Sequence, residues 1–242
     1  MMKLMAFPGR RLAIAAAILL GSLGGLRAQE ANWTAPDWLM TGDYTPRFVV
    51  RDTENKYGRY DDVLKVVTLE DLIRFHGHFC GGLVEASGAL RLAFDALFPD
   101  GIIDRTDLRV AAKNSACGGD VAAYLTGART HFGTYLIDQS LTASEFVVQQ
   151  VSTGRSVRVR VRPEAYPTEV RTQMRKIESG EFTPADIDLF QTLQWDYAKR
   201  IVSRPLEETF VLVNDQPYAW PDPACPDLGT RTDNDYKAVP VQ

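Results

Sequence analysis

The sequence predicts an α+β fold: a single core domain in which a mixed or antiparallel sheet is packed by helices, preceded by a signal peptide. Three observations carry this expectation. Segments with helical spacing and β-branched runs follow one another without the strict strand–helix–strand alternation of a doubly wound sheet. Two adjacent runs, 146–151 and 156–161, flank Ser152-Thr153-Gly154-Arg155 and read as a hairpin. The chain has 242 residues, 45% hydrophobic and 24% charged, which suits one domain able to bury a sizeable core.

Residues 1–28 read as the signal peptide. Lys3, Arg10 and Arg11 form a basic lead, residues 12–26 are apolar and rich in small side chains, and Ala28 closes a small-residue cleavage site. The apolar run is short for a membrane span. The expectation is therefore export to the periplasm or beyond, with no membrane association once the leader is removed. Removal takes away four Lys and Arg and no acids, leaving 23 basic against 31 acidic residues, a net charge of −8. That balance argues against nucleic acid, whose binding depends on neutralising phosphates.

Residues 29–65 form an irregular lead-in with Pro36 and Pro46. Thr68 is placed to cap a short helix with Asp71 as its acidic first-turn partner; Leu69, Leu72, Ile73 and His76 keep helical spacing and Gly77 ends it. A second helix runs from Gly81 through Leu83, Ala86, Leu90, Ala93, Phe94 and Leu97 until residues 98–101 break it. Residues 108–112 read as a strand. Gly118-Gly119 opens a third helix through Val121, Tyr124 and Leu125. Two amphipathic helices follow the hairpin, 163–179 and 185–203, the second capped by Thr183-Pro184; Trp195, Tyr197 and Phe190 read as core. A last strand covers 210–213, and 214–242 is an irregular tail. The core domain is thus 66–213.

The chemistry concentrates in FHGHFCGG, residues 75–82. It holds two of the chain's three histidines and one of its three cysteines. His76, His78 and Cys80 offer imidazole and thiolate donors, the set that zinc and other borderline-soft ions prefer. Cys80 stands where the second helix begins, and a helix N-terminus favours the thiolate. A second motif, NSACGGD at 114–120, places Cys117 and Asp120 at a strand-to-helix turn. Asp120 could serve there as ligand, base or an acceptor that orients a histidine from behind. On these residues a metal centre of His76, His78, Cys80 and Cys117 is expected, holding a divalent transition metal, zinc first, with Asp120 and Cys80 as candidate catalytic residues. Helix-end histidines and a structural cysteine pair are the plainer alternative.

FHGHFCGG followed by NSACGGDVAAYLTGARTHFG resembles the FmdE family of formylmethanofuran dehydrogenase. Phe75, His76, Gly77, His78, Cys80 and Gly82 match that family's first motif, with Gly81 in place of proline. Cys117, Asp120, Thr126, Gly127, Phe132 and Gly133 match its second. The likeness covers residues 66 to 213. It implies an α+β core, a homodimer, and the His/Cys/Asp cluster lining a cleft. Some members add a C-terminal zinc finger of several cysteines, whereas the tail here holds Cys225 alone.

Three functions fit. One is an exported metal-binding protein, either a metal-dependent enzyme or a carrier, whose partner is a small molecule or the metal itself. Another is a thiol enzyme or redox module in which Cys80 attacks, a histidine is its base and Cys117 resolves it. The third is a non-catalytic ligand-binding domain. His131 reads as a partly exposed loop histidine, Glu85 as a helix acid either near the site or solvated, and Arg155, Arg158, Arg160 and Arg162 as a solvated sheet face.

Overall fold

The computed structural model describes residues 35–54, 58–213, 217–221 and 237–239, all within one compact unit. The predicted leader and Cys225 lie outside the described residues.

The segment expected to be irregular is partly ordered. It carries helix α1 (Asp37–Thr41) and strand β1 (Phe48–Arg51). β1 pairs antiparallel with β2 (Lys65–Val67) and parallel with β3 (Ile102–Asp104), giving a small sheet in the order β2-β1-β3. Phe48 and Val50 point inward and are wholly buried, which is why so short a strand is held. No turn signal or long alternation announces it in the sequence; Val49 finds Val66 on one side and Ile102 on the other, both distant along the chain.

Between β2 and β3 lie the two helices that frame the site. Helix α2 (Leu69–His76) begins with a reciprocal cap: the Thr68 hydroxyl accepts from the Asp71 N–H while Asp71 accepts from the Thr68 N–H at 2.8 Å. Gly77 ends it in the left-handed region, φ 98°, where a β-carbon would be strained. Helix α3 (Gly81–Leu97) is apolar on nearly every face and is accordingly the central buried helix of the molecule.

The larger sheet has five strands in the order β5-β4-β6-β7-β8: β4 (Leu108–Ala112), β5 (Tyr135–Ile137), β6 (Glu145–Gln150), β7 (Ser156–Val161) and β8 (Phe210–Val213). Only the β4–β5 pair is parallel, so the sheet is mixed and the fold α+β as expected. The hairpin falls where the sequence put it, with Val148 opposite Val157. Helix α4 (Ala116–Thr126) links β4 towards β5; it starts two residues before the expected glycines, because Ser115 takes the cap position. Cys117 therefore lies inside its first turn rather than ahead of it.

Helix α5 (Thr168–Glu178) begins five residues later than its periodicity suggests, since Pro167 occupies the cap and residues 163–166 form a turn. Helix α6 (Pro184–Val202) has proline in its first turn and a Thr183–Asp186 capping box. A short helix α7 (Leu206–Thr209) leads directly into β8. Of the three α6 aromatics, Tyr197 is core, Phe190 is partly buried, and Trp195 stays more than a third exposed. Trp195 instead stacks on Phe79, which in turn meets Trp38 edge-on.

The sheet's arginines are more fully engaged than a solvated face would be. Arg158 pairs with the buried Glu145 at 2.7 Å, Arg155 donates to the Ala96 carbonyl and Arg162 to the Glu207 carbonyl. Tail residues Tyr218 and Trp220 cover part of the sheet beside Leu136, Ala111 and Val147, and the Arg109 guanidinium lies 4.3 Å from the Trp220 ring centre.

Candidate metal centre

The site lies where the ends of α2, α3 and α4 meet. α2 ends on His76; the left-handed turn at Gly77 swings the chain round so that His78 and Cys80 return towards it. The His76 and His78 rings are 4.5 Å apart, centre to centre. One donor atom from each of His76, His78 and Cys80 falls within 4.8 Å of the others. His76 is half-buried, His78 exposed and Cys80 buried, so the group opens to solvent on the His78 side.

Cys80 caps α3, its Sγ accepting from the Leu83 N–H at 3.3 Å. From the facing helix, Cys117 brings its Sγ to 3.1 Å from Cys80 Sγ. That is well beyond a disulfide bond of about 2.05 Å, and both thiols are free. Such proximity requires α3 and α4 to touch with nothing between them. A β-carbon at Gly82 would lie 3.1 Å from Cys117 Sγ and 3.2 Å from its Cβ. Glycine at 82 is what lets the second sulfur in.

Asp120, one turn into α4, lies on the other side of His76. Its Oδ2 is 2.8 Å from His76 Nδ1. A carboxylate only accepts, so the imidazole proton sits on Nδ1 and the Nε2 lone pair is left towards Cys80, 3.8 Å away. The His76 side chain is 5% exposed and that of Asp120 44%, so the carboxylate reaches the pair from the solvent side. Tyr135 stands near Gly119, and burial together with the charge of Asp120 pushes its phenol up to about 12.

The two sulfurs share a proton unequally. The hydrogen bond from the Cys80 thiol, reinforced by His76, pushes Cys117 down to about 6. The same bond, with burial added, pushes Cys80 far up. An anionic sulfur beside a neutral imidazole is a donor set that suits a borderline-soft dication. The residues present therefore fit a metal, with His76, His78 and Cys80 grouped and Cys117 joined to them through Cys80.

Every candidate ligand and both candidate catalytic residues are thus near neighbours in space. His131 is not placed with them by any contact: it is exposed, in a short 3-10 turn (Thr130–Phe132), against Phe132. Glu85, for which solvation was one reading, is 4% exposed. No cue in the local sequence marked it as buried, because only the packing of α6 and of the residues before β6 encloses that side of α3.

An α+β domain with a His/Cys/Asp cluster at converging helix ends is the class of protein that fold and site define. The family model for FmdE, of the molybdenum formylmethanofuran dehydrogenase operon, matches residues 75–211, more than half of the chain, and the chain belongs to that family. Among solved structures it is similar to an FmdE-like protein of the tungsten formylmethanofuran dehydrogenase from Syntrophus aciditrophicus. The identity is 18% and the TM-score 0.42, over 62% of this chain and 74% of that one. No curated protein matches it.

Proposed function

We propose that this is an exported metal-binding protein in which His76, His78, Cys80 and Cys117 hold a divalent transition metal, with zinc the best match to two imidazoles and two sulfurs. The observation that carries the reading is convergence. Two motifs about forty residues apart deliver their donors to one spot, with 3.1 Å between the sulfurs. A structural role for the cysteines alone would leave two histidines, one tied to a carboxylate, without a task.

Asp120 holds His76 by its Nδ1–H, fixing both ring orientation and tautomer, and makes Nε2 a stronger donor. Cys117, ionised at lower pH than a free thiol, is the sulfur ready to bind, while Cys80 holds its proton until a stronger Lewis acid displaces it. A bound ion would supply Lewis acidity to a small molecule entering beside the exposed His78. The mature protein works as a homodimer outside the cytoplasm, as its apolar leader-like start and family resemblance suggest.

A thiol redox module is the second reading, favoured by the separation of the sulfurs, which needs little movement to become a bond. One experiment separates the two. Untagged protein is analysed for metal, and its thiols are counted before and after chelation. Stoichiometric metal with thiols that react only after chelation is the expected result. Metal-free protein carrying a Cys80–Cys117 disulfide would replace the metal reading with the redox one. Cys80→Ser should abolish metal retention while leaving the fold intact.

A further inference from the structure

Behind the sulfurs lies a buried acid that no motif points to. Glu85 sits in the first half of α3, three residues beyond Gly82 and so on the face that meets Cys117. A carboxyl in this position is enclosed from three sides. Ser144, just before β6, donates its hydroxyl to Glu85 Oε1. From α6, Tyr197 turns its hydroxyl to the carboxyl; that hydroxyl is buried and falls short of a fully formed hydrogen bond to any side chain. Tyr166, ahead of α5, packs its ring on Tyr197 with centres 5.4 Å apart. The nearby cations act elsewhere, Arg171 on Tyr166 and Arg200 on Tyr197. An ionised carboxylate here would be a buried charge without a cationic partner, which is costly.

We propose that Glu85 is the proton-holding residue of this site, a neutral acid while the sulfurs are without metal, which releases its proton to solvent when a dication settles on them and takes one back when the ion leaves. The inference rests on the metal-binding reading above. The proton balance is simple: the dication and Glu85–COOH become the bound ion, Glu85–COO⁻ and one H⁺, besides whatever protons the ligands themselves shed. Burial is the main reason the acid is pushed up to about 7; negative charge at Cys117 adds to it and Tyr197 opposes it. A positive ion at Cys117 reverses the sign of that neighbour, and the Tyr197 hydroxyl, without a full partner in the neutral state, is placed to donate to the carboxylate that results. The group therefore offsets the charge that metal brings into a buried region.

The test is calorimetric titration of metal-free full-length protein with Zn²⁺, in buffers of different protonation enthalpy, to count the protons released per ion. Wild type should release more than Glu85→Gln below and around pH 7, by a difference approaching one proton at the acid end and vanishing well above that pH. Isotope-edited infrared spectra of ¹³C-glutamate protein should show a protonated-carboxyl band that Zn²⁺ abolishes and that Glu85→Gln lacks. Should Glu85→Gln fail to fold, Tyr197→Phe keeps the acid but removes the opposing hydroxyl, and the excess release should persist to higher pH. Zn²⁺ binding with equal proton counts in wild type and Glu85→Gln, and no metal-sensitive carboxyl band, would overturn this inference alone. Absence of Zn²⁺ binding would overturn it together with the metal reading.

Discussion

Asp120 shows how little of a site's chemistry resides in its donor atoms alone. It is half-exposed and lies on a different helix from the histidine it serves, yet its carboxylate decides which nitrogen of His76 carries the proton. Groups in this position typically account for a 10- to 100-fold difference in metal affinity. Asp120→Asn should accordingly weaken Zn²⁺ binding by about that factor, read by competition with a chromophoric chelator, with an unchanged circular dichroism spectrum. Unaltered affinity would mean that the His76–Asp120 pair is only a surface contact. The effect should grow as pH falls, because the variant loses the anion that steadies His76 against other orientations while protons compete for Nε2.

At the scale of elements, the site depends on how close α3 and α4 can come. Helix ends bring donors together only if the helices touch at those ends, and Gly82 is the point of touch. Gly82→Ala would insert a methyl 3.1 Å from Cys117 Sγ, too tight for a buried contact, so the sulfur must shift by a few tenths of an ångström. The expected outcome is a loss of about 1 kcal/mol in stability by urea unfolding. A larger proportional fall in Zn²⁺ affinity should accompany it, since coordination tolerates displacement less well than packing does. Equal metal binding by this variant would show that Cys117 has room to spare. By the same logic α2 contributes through its end: the Thr68–Asp71 cap fixes where the helix starts and Gly77 where it stops, and the eight residues between them set the direction in which His76 points.

On the scale of the whole molecule, the two sheets and the long buried α3 form a scaffold from which the site projects at helix ends. No helix among the described residues is long and apolar enough to cross a membrane. The mature chain should sediment at twice the monomer mass, as the family resemblance implies, and the sedimentation coefficient should not depend on metal if the site is complete within one protomer. A monomer in solution would remove the homodimer from the account without touching the ligand set.

What the sequence by itself determined is local. Caps, glycine stops, the hairpin and the apolar run of α3 are all written in contiguous residues, because each is decided by interactions over a few positions. The donors were legible for the same reason: two histidines and a cysteine within five residues form a chemical pattern without any fold. What tertiary structure alone decided is everything that needs residues far apart to meet. It ordered β1 by pairing it with strands on both sides, and left Trp195 at the rim. It joined Asp120 to His76 across 44 positions and Cys117 to Cys80 across 37. It buried Glu85 under α6, turning a helix acid of no evident role into a group whose charge depends on its surroundings. Burial and proximity are properties of packing, and packing is settled by the sum of many weak contacts that no short stretch of sequence contains.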